Sequence, residues 1–127
     1  MGWGGFAAVG VGAALGAWLR WGLSILFNAA VPHIAMGTLA SNLIGGYLIG
    51  MAMELFREGS ALPPEWRLFA VTGFLGGLTT FSTFSAESLG LLQRGLPGWA
   101  LAHSAVHLLG CLLAAWLGVL TFRLLFG

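Results

Sequence analysis

Residues 76–87 read GGLTTFSTFSAE, placing five hydroxyls, one carboxylate and a glycine pair inside a stretch otherwise apolar enough for a membrane. Phe81 and Phe84 are three apart and therefore neighbours on one helical face, ringed by Thr80, Ser82, Thr83 and Ser85. Two phenylalanines at this spacing usually pack a core. An aromatic ring has a negative face and a positive edge, however, so ring edges can solvate a small anion weakly while hydroxyls donate full hydrogen bonds to it. The second polar group is Thr38, Ser41 and Asn42, of which Thr38 and Asn42 are four apart and share a face. An unpaired amide is costly in hydrocarbon, so Asn42 meets either a partner helix, in a bond worth on the order of 1 kcal/mol, or a wet path. An amide, hydroxyls and ring edges with no fixed positive charge would replace an anion's hydration and still release it, the balance that conduction requires.

The pair Gly76-Gly77 favours a break in the helix that enters at Leu68, and the hydroxyls of Thr79 and Thr80 can cap the free N–H groups of a second half-helix. Non-helical backbone at mid-membrane is tolerated only where protein buries it or it lines a water-filled cavity. Discontinuous helices recur where transporters coordinate ions, through freed carbonyls and half-helix ends. The plainer alternative is a glycine kink filled by a neighbouring helix.

The elements that must position these residues follow from composition. The chain has 127 residues, 58% of them hydrophobic and only 7% charged, with a mean hydropathy of +0.93; a soluble domain has a different balance. Polar punctuation at 28–33, 57–67 and 93–98 cuts it into four spans of the roughly 20 residues needed to cross a bilayer: Trp3 to Phe27, Ile34 to Phe56, Leu68 to Leu92 and Trp99 to Phe126. The expectation is one four-span, all-α transmembrane domain over residues 1–127, with the third helix broken. The first span lacks a basic region before its apolar run and reads as a retained span rather than a cleaved signal. The net charge of +1 gives no footprint for nucleic acid. A lone cysteine, Cys111, excludes an intrachain disulfide and reads as packing. Gly12 and Gly16, Gly46 and Gly50, and Gly73 and Gly77 are each four apart, the spacing that lets helix backbones approach in lipid.

Lys/Arg asymmetry between loops normally fixes orientation, but Arg57, Arg67 and Arg123 at one end face Arg94 and Arg20 towards the other. That bias is weak enough for the chain to insert both ways and pack as an antiparallel dimer. A small protein with few charges is the alternative reading.

The run GGLTTFSTFSAE, together with GAWLRW at 16–21 and SNLIGG at 41–46, resembles the Fluc fluoride channels, also called the CrcB family, across essentially all four spans. The resemblance implies a passive, electrogenic, fluoride-selective channel. It implies an antiparallel, dual-topology homodimer with two pores in the bilayer, the bacterial inner membrane, exporting cytoplasmic fluoride that entered as hydrogen fluoride. By motif match, Asn42, Phe81 and Phe84 line the pores, with Thr38, Ser82, Thr83, Ser85 and Ser104 as further polar candidates and Thr121 extending the track. The resemblance also implies a structural sodium ion at the dimer centre, held by backbone carbonyls at Gly76 and Thr79.

Arg20 and Glu87 lie at similar depth in spans that run the same way, so they are expected either to pair or to serve a vestibule and a pore end. His103 and His107 are four apart and can share a metal, but no third ligand is evident in the sequence, and their role stays open. No P-loop, Ser/His/Asp order or acidic metal cluster points to an enzyme. Two rivals stand beside the channel: a small dual-topology proton-coupled exporter of organic cations, which needs a carboxylate deep in its binding span, and a non-transporting assembly subunit.

Overall fold

A computed structural model describes residues 2–57 and 59–127. Four helical rods are long and apolar enough to cross a membrane, and the chain is a multi-pass integral membrane protein by that measure. Helix α1 is Trp3–Phe27 and α2 is Met36–Leu55. The third rod, α3, runs through Pro64–Arg67, a π-helical stretch Leu68–Leu75 and the turn Gly76–Leu78. It is followed by α4, Phe81–Gln93, and by α5, Pro97–Phe126. The third rod starts at Pro64 rather than at Leu68 because proline suits the first turn, where no N–H partner is needed, and Glu65 complements the dipole there. Hydropathy alone misses such an interfacial turn.

Thr79 and Thr80 carry extended backbone angles between α3 and α4. The Thr80 hydroxyl accepts from Thr83 N at 3.0 Å, capping α4, while Thr79 Oγ1 turns back to donate to Leu75 O at 2.8 Å. This interruption divides the packing of the rod: α3 lies against α1, whereas α4 lies against α5, which also packs along α2.

Small residues set both main contacts. Along α1 and α3, a Cβ at Gly12 would lie 2.8 Å from Phe74 N, and one at Gly16 would overlap Phe74 O. Along α2 and α5, a Cβ at Gly50 would overlap Ala115 O. Without a hydrophobic drive between helices in lipid, such backbone approach supplies the van der Waals contact that holds them.

The exterior is studded with apolar side chains such as Phe6, Trp21, Leu101 and Leu124, while Thr38, Ser41, Asn42, His103 and His107 are buried. Polarity inside and oil outside is the pattern of a protein solvated by acyl chains.

Candidate functional site

The side chains that meet inside the protein come from three helices: buried Thr38 and Asn42 from α2, half-buried Phe84, Glu87 and Ser88 from α4, and buried His103 and His107 with half-buried Ser104 from α5. Asn42 ties α2 to the interruption. Its Oδ1 accepts from Thr80 N at 2.8 Å and its Nδ2 donates to Thr80 O at 3.2 Å, so the backbone fixes which way the amide points. Nδ2 therefore also faces His107 Nδ1, at 3.2 Å, and an amide nitrogen can only donate there. The proton of a neutral His107 ring then sits on Nε2, which is buried and has no hydrogen-bond partner among the described residues.

Glu87 is held at both oxygens. Thr38 Oγ1 donates to Oε2 at 2.7 Å, and His103 Nε2 lies 3.1 Å from Oε1. His103 is fully buried, with Nδ1 2.7 Å from Ser88 Oγ, which lies 3.1 Å from Ser104 Oγ. The aromatic partner is Phe84. His103 stacks on it with ring centroids 5.1 Å apart and planes at 9°, His107 tilts against it at 4.8 Å, and Phe81 at 5.5 Å. The two imidazoles are themselves only 4.5 Å apart, so both lie to one side of the Phe84 ring.

Part of this cluster borders a groove of about 730 Å³, lined by Asn42, Gly76, Thr79, Thr80, Phe81 and Phe84, with Ser104 and His107 beside them. Phe81 projects, 79% exposed. Of the sequence candidates, Asn42, Phe81, Phe84, Ser104, Gly76 and Thr79 meet at this groove. Thr38 is buried behind it on Glu87, and Thr83 is engaged with Thr80. Ser82 and Ser85 are exposed, the latter donating to Phe81 O. Thr121 likewise donates to its own helix, at Leu117 O.

Arg20 and Glu87 do not pair. Arg20 Nε donates to Gly77 O at 3.0 Å, one of the carbonyls whose helical donor the interruption moves away. Because α1 packs on α3 and not on α4, the guanidinium meets the end of the first half-rod, while Glu87 turns inward to Thr38 and His103. Equal depth did not imply equal azimuth.

An interrupted rod, an amide anchor and paired phenylalanines can now be set beside known proteins. Residues 7–119 match the family model described as CrcB-like protein, Camphor Resistance (CrcB). The chain belongs to the CrcB family. A CrcB relative from Cupriavidus pinatubonensis (strain JMP 134 / LMG 1197) is 64% identical over 121 residues, 95% of this chain and 96% of that protein, and is named a fluoride-specific ion channel, FluC. Relatives of the same name from Cupriavidus taiwanensis and Nitrosospira multiformis are 61% and 57% identical, covering 95% and 91% of this chain and 96% and 91% of theirs.

The histidines are what sequence reasoning left unplaced. The signal was the hairpin: Gly95, with a φ of +73°, turns α4 into α5, and Glu87 and His103 lie eight residues before and after it. Antiparallel neighbours equidistant from a tight turn come to the same level.

Proposed function

We propose that this chain is a passive, electrogenic, fluoride-selective channel that exports cytoplasmic fluoride across the bacterial inner membrane. The observation that carries the reading is similarity over nearly the whole chain to proteins named fluoride-specific ion channels. The groove is consistent with it: the Ser104 hydroxyl and the edges of Phe81 and Phe84 line it, and Asn42, whose amide protons go to Thr80 O and His107 Nδ1, holds the interruption beside them. None of these groups carries a fixed positive charge, so fluoride is held weakly enough to leave. Hydrogen fluoride that crosses the lipid from acid surroundings dissociates in the cytoplasm, and a negative interior drives the anion out. A channel makes and breaks no covalent bond, so the chain is not an enzyme. The first span holds no carboxylate, which a proton-coupled exporter of the rival kind requires.

The working unit is an antiparallel, dual-topology homodimer with two pores. The interrupted backbone supports this, because Gly76 is exposed and Thr79 and Thr80 half-buried at the open groove, and irregular backbone is not tolerated against lipid. A second copy over the groove would cover it. Cysteine-accessibility labelling that finds one orientation only would remove the antiparallel arrangement.

A structural sodium ion at the dimer centre fits the donor set. Thr80 N is spent on Asn42 and Thr83 N on the Thr80 hydroxyl, so the Gly76 and Thr79 carbonyls lose the donors a continuous helix would give them. Hard oxygen donors suit a hard cation. Bound there, sodium would supply positive charge that knits the two interruptions together.

The test uses purified protein in liposomes loaded with potassium fluoride, with release followed by electrode after valinomycin, beside a chloride-loaded control. Rapid valinomycin-dependent fluoride release without chloride release is expected. No fluoride release from folded dimers would overturn the channel reading.

A further inference from the structure

The cluster Glu87, His103 and His107 offers more than a hydrogen-bond network. One ligand atom from each lies within 4.8 Å of the others, His103 and His107 are buried, and His107 Nε2 has no partner among the described residues. Two histidines four apart on one helix with a carboxylate from a neighbour form a His2Glu set, a donor combination suited to zinc with a fourth position left open. The sequence had shown only the two histidines; the α4–α5 hairpin supplies the third ligand.

We infer that Glu87, His103 and His107 form a binding site for a divalent transition cation of the zinc class, and that its occupancy arrests anion conduction.

Geometry and surroundings both favour the site. Tetrahedral zinc with bonds near 2.0–2.1 Å sets its ligand atoms about 3.3 Å apart. His103 Nε2 and Glu87 Oε1 already stand at 3.1 Å, and the three ligand atoms all lie within 4.8 Å of one another, so closure takes only small side-chain movements. Ligating histidines and carboxylates are normally held by hydrogen bonds at their remaining atoms. Here Thr38 holds the second oxygen of Glu87, and Ser88 stands at 2.7 Å from Nδ1 of His103, placed to accept its proton, with Ser104 next in line. His107 is the costly member. Metal at Nε2 needs that nitrogen's lone pair, so the single proton of the neutral ring must move to Nδ1, where it faces the Asn42 amide nitrogen. Loading the site therefore repels Asn42, the anchor of the interruption.

Arrest rests on the channel reading and follows from charge. Both histidines pack on Phe84, so the cation would stand beside the anion's route. A route built on weak solvation conducts because it releases its ion. A dipositive ion with an open coordination position would hold fluoride instead, and the anion would become a ligand.

The test begins with tag-free, full-length protein in detergent, without fluoride, titrated with cobalt(II) as a spectroscopic stand-in. The expected result is the intense visible absorption of four-coordinate cobalt, bleached by zinc. His107→Gln, His103→Gln and Glu87→Gln should each weaken binding by more than about tenfold, and Thr38→Val, which touches only the carboxylate's far oxygen, by roughly 10–100-fold. A wild-type spectrum that stays six-coordinate at saturating cobalt would overturn the site whether or not any variant folds. In fluoride-loaded liposomes, zinc should stop wild-type efflux and a chelator should restore it. Cobalt binding with zinc-insensitive efflux would overturn the arrest, whereas no efflux from metal-free protein that still binds cobalt would count against the channel and not against the site.

Discussion

Asn42→Leu is close to isosteric but can neither donate nor accept, so it removes the tie between α2 and the interruption with little change of volume. The backbone N–H and C=O of Thr80 lose their partners, which stand at 2.8 and 3.2 Å in the native chain. A buried unsatisfied group costs about 1–3 kcal/mol, and Thr80 is only half-buried, which puts each group at the low end. Interhelical hydrogen bonds in membranes average about 0.6 kcal/mol in double-mutant cycles, a floor for the pair. A loss of about 2 kcal/mol follows, roughly thirtyfold in the folding equilibrium. Reversible unfolding in mixed micelles reads the stability, and fluoride efflux from liposomes reads the function. Asn42→Asp separates the two: it keeps an acceptor for Thr80 N but replaces the amide donor with negative charge, so efflux should fall further than stability does. Wild-type stability in Asn42→Leu would mean the interruption is anchored elsewhere. Wild-type efflux in Asn42→Asp would mean the amide does not serve the anion.

Phe81→Ile and Phe84→Ile keep apolar bulk but delete the polarised edge. If each edge contributes about 1 kcal/mol, efflux should drop about fivefold per substitution while the folded protein persists on gel filtration. Unchanged conductance in both removes the ring-edge account. Gly16→Ala drives a Cβ into Phe74 O, and the forced separation of α1 from α3 should cost about 1–3 kcal/mol of unfolding free energy, whereas Gly22→Ala, where a Cβ meets open space, should be neutral or better. Arg20→Gln gives up the donation to Gly77 O, so stability should fall while single-channel current stays normal; a changed current with native stability would instead place Arg20 in the vestibule. Where α2 and α5 end, Glu54 bonds Arg123 at 3.0 Å with the arginine side chain 56% exposed, and Arg123→Gln should cost less than about 1 kcal/mol, measured by the same unfolding assay at low salt.

The number of spans, their ends to within a few residues, the glycine contacts and the polar character of residues 76–87 were all legible in the sequence, because hydropathy and four-residue glycine spacing act locally. Azimuth was not. Arg20 and Glu87 share a depth, but depth is read by counting residues, while which way a side chain faces depends on how the rods pack around the interruption. The same limit applies to Ser82 and Ser85, which sit in the motif yet are exposed beside Phe81 rather than at the groove. The π-helical stretch Leu68–Leu75 has no sequence signature either. It lies where α1 brings its backbone close to Phe69 and Phe74 through Gly12 and Gly16, a tertiary contact that residue types alone do not show.

The interruption and the polar interior depend on each other. A continuous rod from Pro64 to Gln93 would bond Thr80 N to Gly76 O and would deprive Asn42 of its backbone partners at Thr80. Interrupting it at Thr79 and Thr80 gives Asn42 a backbone N–H and C=O to hold, releases carbonyls of which Arg20 takes one at Gly77, and swings α4 from α1 to α5. That swing is what brings Glu87 to His103 and Phe84 against both imidazoles. One local departure from helical geometry thus supplies the anchor, the free carbonyls and the aromatic edge together. A substitution that restored the helix at residues 79 and 80 should dismantle all three.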